Sequence, residues 1–300
     1  MVATTTQVAD FARNVGGERV QVTGLLAPNV DPHDHEVRPR DIEALADADL
    51  VLRSGGDLDE WLTEAIEGSG TEAPVVNLID RVRTIGGGDS EHGEEGHAED
   101  EANREEAGEP HAEEAVDPHW WQDPRNAERA VIAIRDALVA ADPEGRPTYT
   151  DNANAYTQDL RELDGAVATC MDRVPEEERK LVSTHDSLGY YADRYGIEVL
   201  GTVIPSLSTK GQPSAGDIRD LVETIERENV KAIFTESSVN PKVERAIAEE
   251  AGATIGAPLW ADTLGPDDSA APTYLRSIAA NTRALVDGFS GGTNPCRLPS

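Results

Sequence analysis

Seven histidines occur in the 300 residues, and their surroundings divide them into two groups. His92, His97 and His111 fall in a run of carboxylates, whereas His33, His35, His119 and His185 lie among apolar and turn-forming residues. Two of the latter share a context: Asp31-Pro32-His33-Asp34 and Asp117-Pro118-His119-Trp120. Proline holds the residue before it extended, so each imidazole sits in a turn after an extended segment. His185 follows the apolar run KLVST, and Asp262 stands in the same relation to ATIGAPLW. Imidazole nitrogen and carboxylate oxygen are donors for a divalent cation, and three of the first with one of the second complete a four-coordinate N₃O set. Four protein donors leave no position for an activated water, which distinguishes a site that holds an ion from one that uses it in a reaction.

The elements that must position these residues alternate between strand and helix. Glu18–Leu26, Leu50–Arg53 and Val75–Asn77 read as strands, with helices over Arg40–Ala48 and Leu58–Ile66 between them. Pro124–Ala140 is an amphipathic helix. Short apolar runs at Lys180–Thr184, Val199–Thr202, Ala232–Thr235 and Thr254–Ala257 alternate with helical patterns at Ser187–Tyr195, Ser214–Glu228 and Pro241–Ala251. Such alternation predicts an α/β fold with mostly parallel sheets, in which ligands bind beyond the carboxyl ends of the strands. Between the halves, Tyr149, Ala153, Tyr156, Leu160, Leu163, Val167, Cys170 or Met171, and Val174 form one apolar stripe at three- and four-residue steps. The stripe predicts a single stiff helix of roughly seven turns. The expected organisation is an amino-terminal lobe over residues 1–147, a linking helix over 148–174, and a carboxy-terminal lobe over 175–300.

Residues 86–118 stand apart, with 13 acidic residues, one Arg and His92, His97 and His111. A segment so poor in large apolar side chains cannot offset its ordering entropy, so a disordered loop is expected there. Over the whole chain, 26 Lys+Arg face 58 Asp+Glu, a formal charge of −32. That excess repels nucleic acid and anionic membrane surfaces and is compatible with cations. No apolar stretch reaches the roughly 18–20 residues that span a bilayer. Met1–Thr6 has neither the basic nor the apolar region of a secretory signal, which leaves open a cytosolic protein or a mature exported form. Cys170 and Cys296 fit no zinc ribbon or redox pair. They are two free thiols or, in an oxidising compartment, one long-range bridge.

Six stretches carry a resemblance to a known family: APNVDPHDHEVRPRDIEALADADLVLRSGGDLDEWL (27–62), DPHWWQDPRNA (117–127), STHDSLGYYADRYGI (183–197), QPSAGDIRDLVETI (212–225), FTESS (234–238) and APLWADTLG (257–265). In this order they resemble the zinc/manganese class of ABC-transporter solute-binding proteins. The resemblance implies two α/β lobes joined by one long rigid helix, with a metal in the interlobe cleft held by His33, His119, His185 and Asp262. It implies an extracytoplasmic protein, periplasmic or lipid-anchored, although no signal or anchor cysteine precedes the domain. Its partners would be a cognate ABC permease and, through it, the ATPase, with the chain itself a monomer. The acidic His-rich loop before the second ligand resembles that of zinc-specific members. Two residues need separate roles. His35 stands where an aromatic is commoner, as a replacement for or supplement to His33. Glu236, at another strand end, is expected to accept a hydrogen bond from a ligand imidazole.

Three imidazoles and a carboxylate suit tetrahedral Zn²⁺, whereas Mn²⁺ prefers more oxygen and binds such a set more weakly. The ion is cargo, with Mn²⁺ the alternative, and the loop histidines would raise its local concentration. Trp120, Trp121 and Trp260 adjoin the donors as an apolar wall or as core. An enzyme is not expected. A zinc hydrolase, with Asp262 or Glu236 as general base, is the competing class, and the chain has neither a His-Glu-x-x-His helix nor a nucleophile elbow.

Overall fold

The computed structural model describes residues 1–87, 115–294, 296 and 298. Four short strands, β1 (Val2–Ala3), β2 (Thr23–Gly24), β3 (Val51–Arg53) and β4 (Val75–Asn77), form a sheet in the order β2-β1-β3-β4. Every pairing in it is parallel. Helices α1 (Thr6–Gly16), α2 (Pro39–Ala46) and α3 (Leu62–Ser69) cover this sheet. The strand expected over Glu18–Leu26 shrinks to β2, because Gly17–Arg19 winds into a 3₁₀ turn. Met1–Thr6, to which the sequence pattern gave no element, carries the inner strand β1. Two residues are too few to show a period, and the buried threonines beside it are satisfied from afar: Ser54 N–H donates to Thr4 Oγ1 and Leu264 N–H to Thr6 Oγ1.

Helix α4 (Pro124–Ala141) begins where Asp123 accepts the Arg125 N–H and Pro124 occupies the first turn; both are favourable at an N-terminus. The long helix α5 (Arg146–Met171) follows. All the stripe residues are buried, Cys170 and Met171 together, while Val174 is buried beyond the helix end. One face of α5 meets α1 and α4, and another meets the last helix, α9 (Tyr274–Ser290). A single buried cluster therefore runs from Phe11 and Trp120 through Tyr156 and Leu160 to Phe234 and Tyr274. The strut is embedded in core shared by both halves, so it is braced as well as intrinsically stiff. A disulfide joins Cys170 to Cys296, with Cα atoms 5.5 Å apart, and ties the tail to the end of α5.

In the second half β5 (Lys180–His185) pairs with β6 (Glu198–Ile204), and β7 (Ala232–Ile233) with β8 (Thr254–Ile255), again in parallel. Phe234 N–H donates to Val182 O at 2.9 Å and brings β7 alongside β5. Helices α6 (Gly189–Tyr195), α7 (Ala215–Glu228) and α8 (Lys242–Ala251) complete this half. α7 starts with a reciprocal cap between Ser214 and Asp217. The predicted disordered segment 86–118 is too wide. Gly86 pairs with Val116 in an antiparallel bridge, Asp117 N–H donates to Ile85 O, and Asp117 is buried. Residues 88–114, with His92, His97 and His111, lie outside the described residues. No helix among the described residues is long and apolar enough to cross a membrane.

Candidate metal centre

The two Asp-Pro-His turns fold alike. Asp31 Oδ1 accepts the His33 N–H and Asp117 Oδ1 accepts the His119 N–H, each at 2.9 Å. These Asx turns set the backbone of each histidine two residues after its aspartate. The Pro118–His119 turn rests on Gly56, whose φ of +67° is left-handed and whose Cβ, if it had one, would come within 2.9 Å of Pro118. His185 ends β5 opposite Ile204 of β6. Asp262 follows a strand-like stretch in which Leu259 bridges Glu236.

These four residues from distant parts of the chain meet in one place. Their donor atoms all lie within 4.8 Å of one another, and all four side chains are buried. His33 Nε2 is 3.4 Å from His119 Nε2 and 3.4 Å from Asp262 Oδ2. His119 Nε2 is 3.5 Å from Asp262 Oδ1, and His185 Nε2 is 3.3 Å from Asp262 Oδ2. Donors about 2.1 Å from a common centre, at the corners of a tetrahedron, are about 3.4 Å apart. Four separations lie near that edge, with His33 and His185 facing one Asp262 oxygen and His119 the other. Neither Asp262 oxygen nor His185 Nε2 has a hydrogen-bond partner, although all are fully buried. Buried polar atoms are rarely left so, and a cation at the centre would satisfy them together.

The other side of two rings is fixed by carboxylates. His119 Nδ1–H donates to Asp117 Oδ1 at 2.7 Å, and His185 Nδ1–H donates to Glu236 Oε1 at 2.6 Å. Each bond selects the tautomer that leaves Nε2 unprotonated and aimed at the centre. Without an ion the charges lean on protons. Burial works against a charge on His119 and on His185, yet the carboxylates beside them prevail and both pKa values are raised, His185 well above the usual imidazole range. Burial would raise Asp262 too, but His185 and His119 hold it well below the usual carboxylate range. Burial raises Glu236, with His185 offsetting part of the effect.

His35 does not reach the centre. Its Nε2 faces Asp41 Oδ2 at 3.3 Å and its ring packs on Trp61, centroids 4.5 Å apart. Burial lowers its pKa, with Asp41 opposing. Trp120 and Trp121 are buried beside His119, and the Trp121 ring is edge-on to it at 5.5 Å. Trp260 is only half-buried, its backbone N–H and C=O both bonded to the Asn281 side chain. Absent from the sequence reading are Gln122 and Asn29, whose side chain and backbone, respectively, hold the Asp262 segment. Nothing in their sequence context marks them, because their partners lie more than a hundred residues away.

An open parallel α/β fold with a buried three-histidine, one-aspartate cluster between its halves defines a metal-binding substrate-binding protein of the ABC-transporter class. The chain belongs to the family described as zinc-uptake complex component A, periplasmic, whose model matches residues 1–288. Members of the family are transporter components and not enzymes, which sets the hydrolase alternative aside. It is 30% identical over 283 residues to the manganese-binding lipoprotein MntA of Halalkalibacterium halodurans, covering 94% of this chain and 86% of that one. It is 28% identical over 289 residues to the iron-binding protein YfeA of Yersinia pestis, covering 96% and 86%. The solved periplasmic zinc-binding protein TroA of Treponema pallidum superposes with a TM-score of 0.81 at 28% identity, covering 96% of this chain and 98% of that one. Three relatives thus carry the names of three metals.

Proposed function

We propose that this protein captures Zn²⁺ outside the cytoplasm and delivers it to a cognate ABC permease, with His33, His119, His185 and Asp262 as the four ligands. The observation that carries the reading is the buried donor cluster of three imidazoles and one carboxylate, all within 4.8 Å of one another, a donor set that suits Zn²⁺. Glu236 and Asp117 hold two imidazoles in the ligating tautomer. His35, paired to Asp41, braces the turn that carries His33. The lobes of residues 1–147 and 175–300, joined by the helix of 148–174, hold the ion in the cleft between them, and the chain acts as a monomer, periplasmic or lipid-anchored. The histidines of 88–114 collect ions weakly beside the cleft.

Mn²⁺ is the second reading, favoured by the name of the manganese-binding relative. Against it, three imidazoles to one carboxylate is a nitrogen-rich set, and Mn²⁺ is the weaker binder in the Irving–Williams order. Native mass measurement with and without chelator reports how many ions the protein holds and which. Competition of Zn²⁺ and Mn²⁺ for the stripped protein then ranks them, and a preference for Mn²⁺ overturns the zinc reading. Asp262→Ala should weaken Zn²⁺ by orders of magnitude, and near-parental affinity in that variant would remove Asp262 from the shell.

A further inference from the structure

In chain order Asp262 belongs to the second half, 229 residues beyond His33. Its hydrogen bonding places it elsewhere. Up to Trp260 the chain is tied to second-half strands and α9: Leu259 N–H donates to Thr235 O, Ser237 N–H donates to Leu259 O, and Asn281 brackets Trp260. At Ala261 the partners change. Its carbonyl accepts Trp121 Nε1–H at 3.0 Å and Gln122 Nε2–H at 2.8 Å. Beyond Asp262, Asn29 N–H donates to Thr263 Oγ1 and Leu264 O, and Leu264 N–H donates to Thr6 Oγ1. Residues 6, 29, 121 and 122 all belong to the first half. Gln122 and Trp121 are buried, and Tyr274 O–H donates to Trp121 O at 2.6 Å, which fixes the turn that carries them.

We infer that Trp121 and Gln122 are positioning residues that clamp the Ala261 carbonyl and so lock Asp262 to His119. The turn Trp120–Gln122 starts directly after His119, and the clamped carbonyl directly precedes Asp262. One short rigid piece thus sets the distance between two ligands, without passing through the long helix. The site is asymmetric in its supports. Asp262 shares first-half anchors with His33 and His119, whose turns also receive Thr209 and Tyr190 hydroxyls from the second half, and His185, backed by Glu236, is seated on the second-half strands. A carboxylate pre-set in this way needs no ordering when the ion arrives, and its loss of position should appear as faster ion release.

The inference rests on the four-ligand reading and deepens it. Two variants test it in the full chain: Gln122→Met, which keeps bulk and removes the donor, and Trp121→Phe, which keeps a ring and removes the N–H. In either, the Ala261 carbonyl retains one partner. The expected result is a Zn²⁺ dissociation constant raised about 10- to 100-fold, the range for residues that orient ligands, carried mainly by faster release in chelator chase. Truncation of a buried side chain lowers the melting temperature of the metal-free protein, the loss should be larger with zinc bound, and the Co²⁺ d–d bands of the substituted protein should shift. Dissociation constants within threefold of the parent, with unaltered Co²⁺ bands, overturn the clamp. So does a melting-temperature loss equal with and without zinc, the mark of a purely structural role. If the parent binds no Zn²⁺ and no Co²⁺, the four-ligand reading and the clamp fall together. If the parent binds and only the variants match it, the clamp alone falls.

Discussion

Glu236 offers a quantitative test of how the site is built. Its Oε1 accepts His185 Nδ1–H at 2.6 Å and also lies 3.3 Å from the His185 backbone nitrogen. Glu236→Gln keeps an oxygen acceptor in the same place and removes its charge. A hydrogen bond to a charged group contributes about 1.5–3 kcal/mol and one between neutral groups about 0.5–1.5 kcal/mol. The substitution should therefore cost about 1–1.5 kcal/mol, a Zn²⁺ dissociation constant raised about 5- to 12-fold. Glu236→Ala removes the acceptor altogether and lets His185 carry its proton on Nε2, where no metal can bind. That variant should be weaker by about 10- to 100-fold. The assay is competition of the stripped protein against a zinc chelator of known affinity at pH 7.5. Two variants within about twofold of the parent, or a Gln variant as weak as the Ala variant, would refute the reasoning. A second arm uses pH. Glu236 also raises the proton affinity of His185, so Glu236→Gln eases proton competition. Its deficit should narrow between pH 7.5 and pH 6, and a widening deficit contradicts the assignment.

Two further outcomes follow from the same geometry. Metal binding requires unprotonated imidazoles, and in the metal-free protein His119 and His185 titrate above the ordinary value. Zn²⁺ affinity should therefore begin to fall above about pH 6.5, the unperturbed imidazole value, and keep falling as the solution is acidified. Calorimetry in buffers of different ionisation enthalpy should register proton release near pH 7, and affinity constant down to about pH 4.5 would exclude histidine ligation. The Cys170–Cys296 bridge spans a sequence separation of 126. Chain-entropy reasoning gives it about 4–5 kcal/mol of stability, so urea unfolding of the Cys170→Ser/Cys296→Ser protein should fall by up to that amount. Unreduced, denatured parent protein should show no titratable thiol.

Much of this site was legible in the sequence for a local reason. Asp-Pro-His twice, a histidine after an apolar run, and an aspartate after another each announce a donor at a strand end, and all four donors meet. The long helix was legible because its burial repeats every three or four residues from Tyr149 to Cys170. What stayed hidden depends on partners far away in the chain. β1 is two residues long and earns its central place only by pairing with Thr23 and Val51. α1 and α9 pack on the strut, yet neither lies beside a donor motif that would have drawn attention to it. The limits of the acidic segment were misplaced because composition changes gradually, whereas the pairing of Gly86 with Val116 depends on a partner thirty positions away in the chain.

The physical difficulty for a carrier of this design is that its site must survive empty. Asp117, Glu236 and Asp262 are buried carboxylates around the same imidazoles, and buried charges without partners are costly. The carboxylates beside His119 and His185 raise the proton affinity of both rings, which works against that cost. Two imidazolium charges and one divalent cation contribute the same total charge to the cluster. Proton uptake by these rings when the ion leaves would offset part of the positive charge that leaves with it.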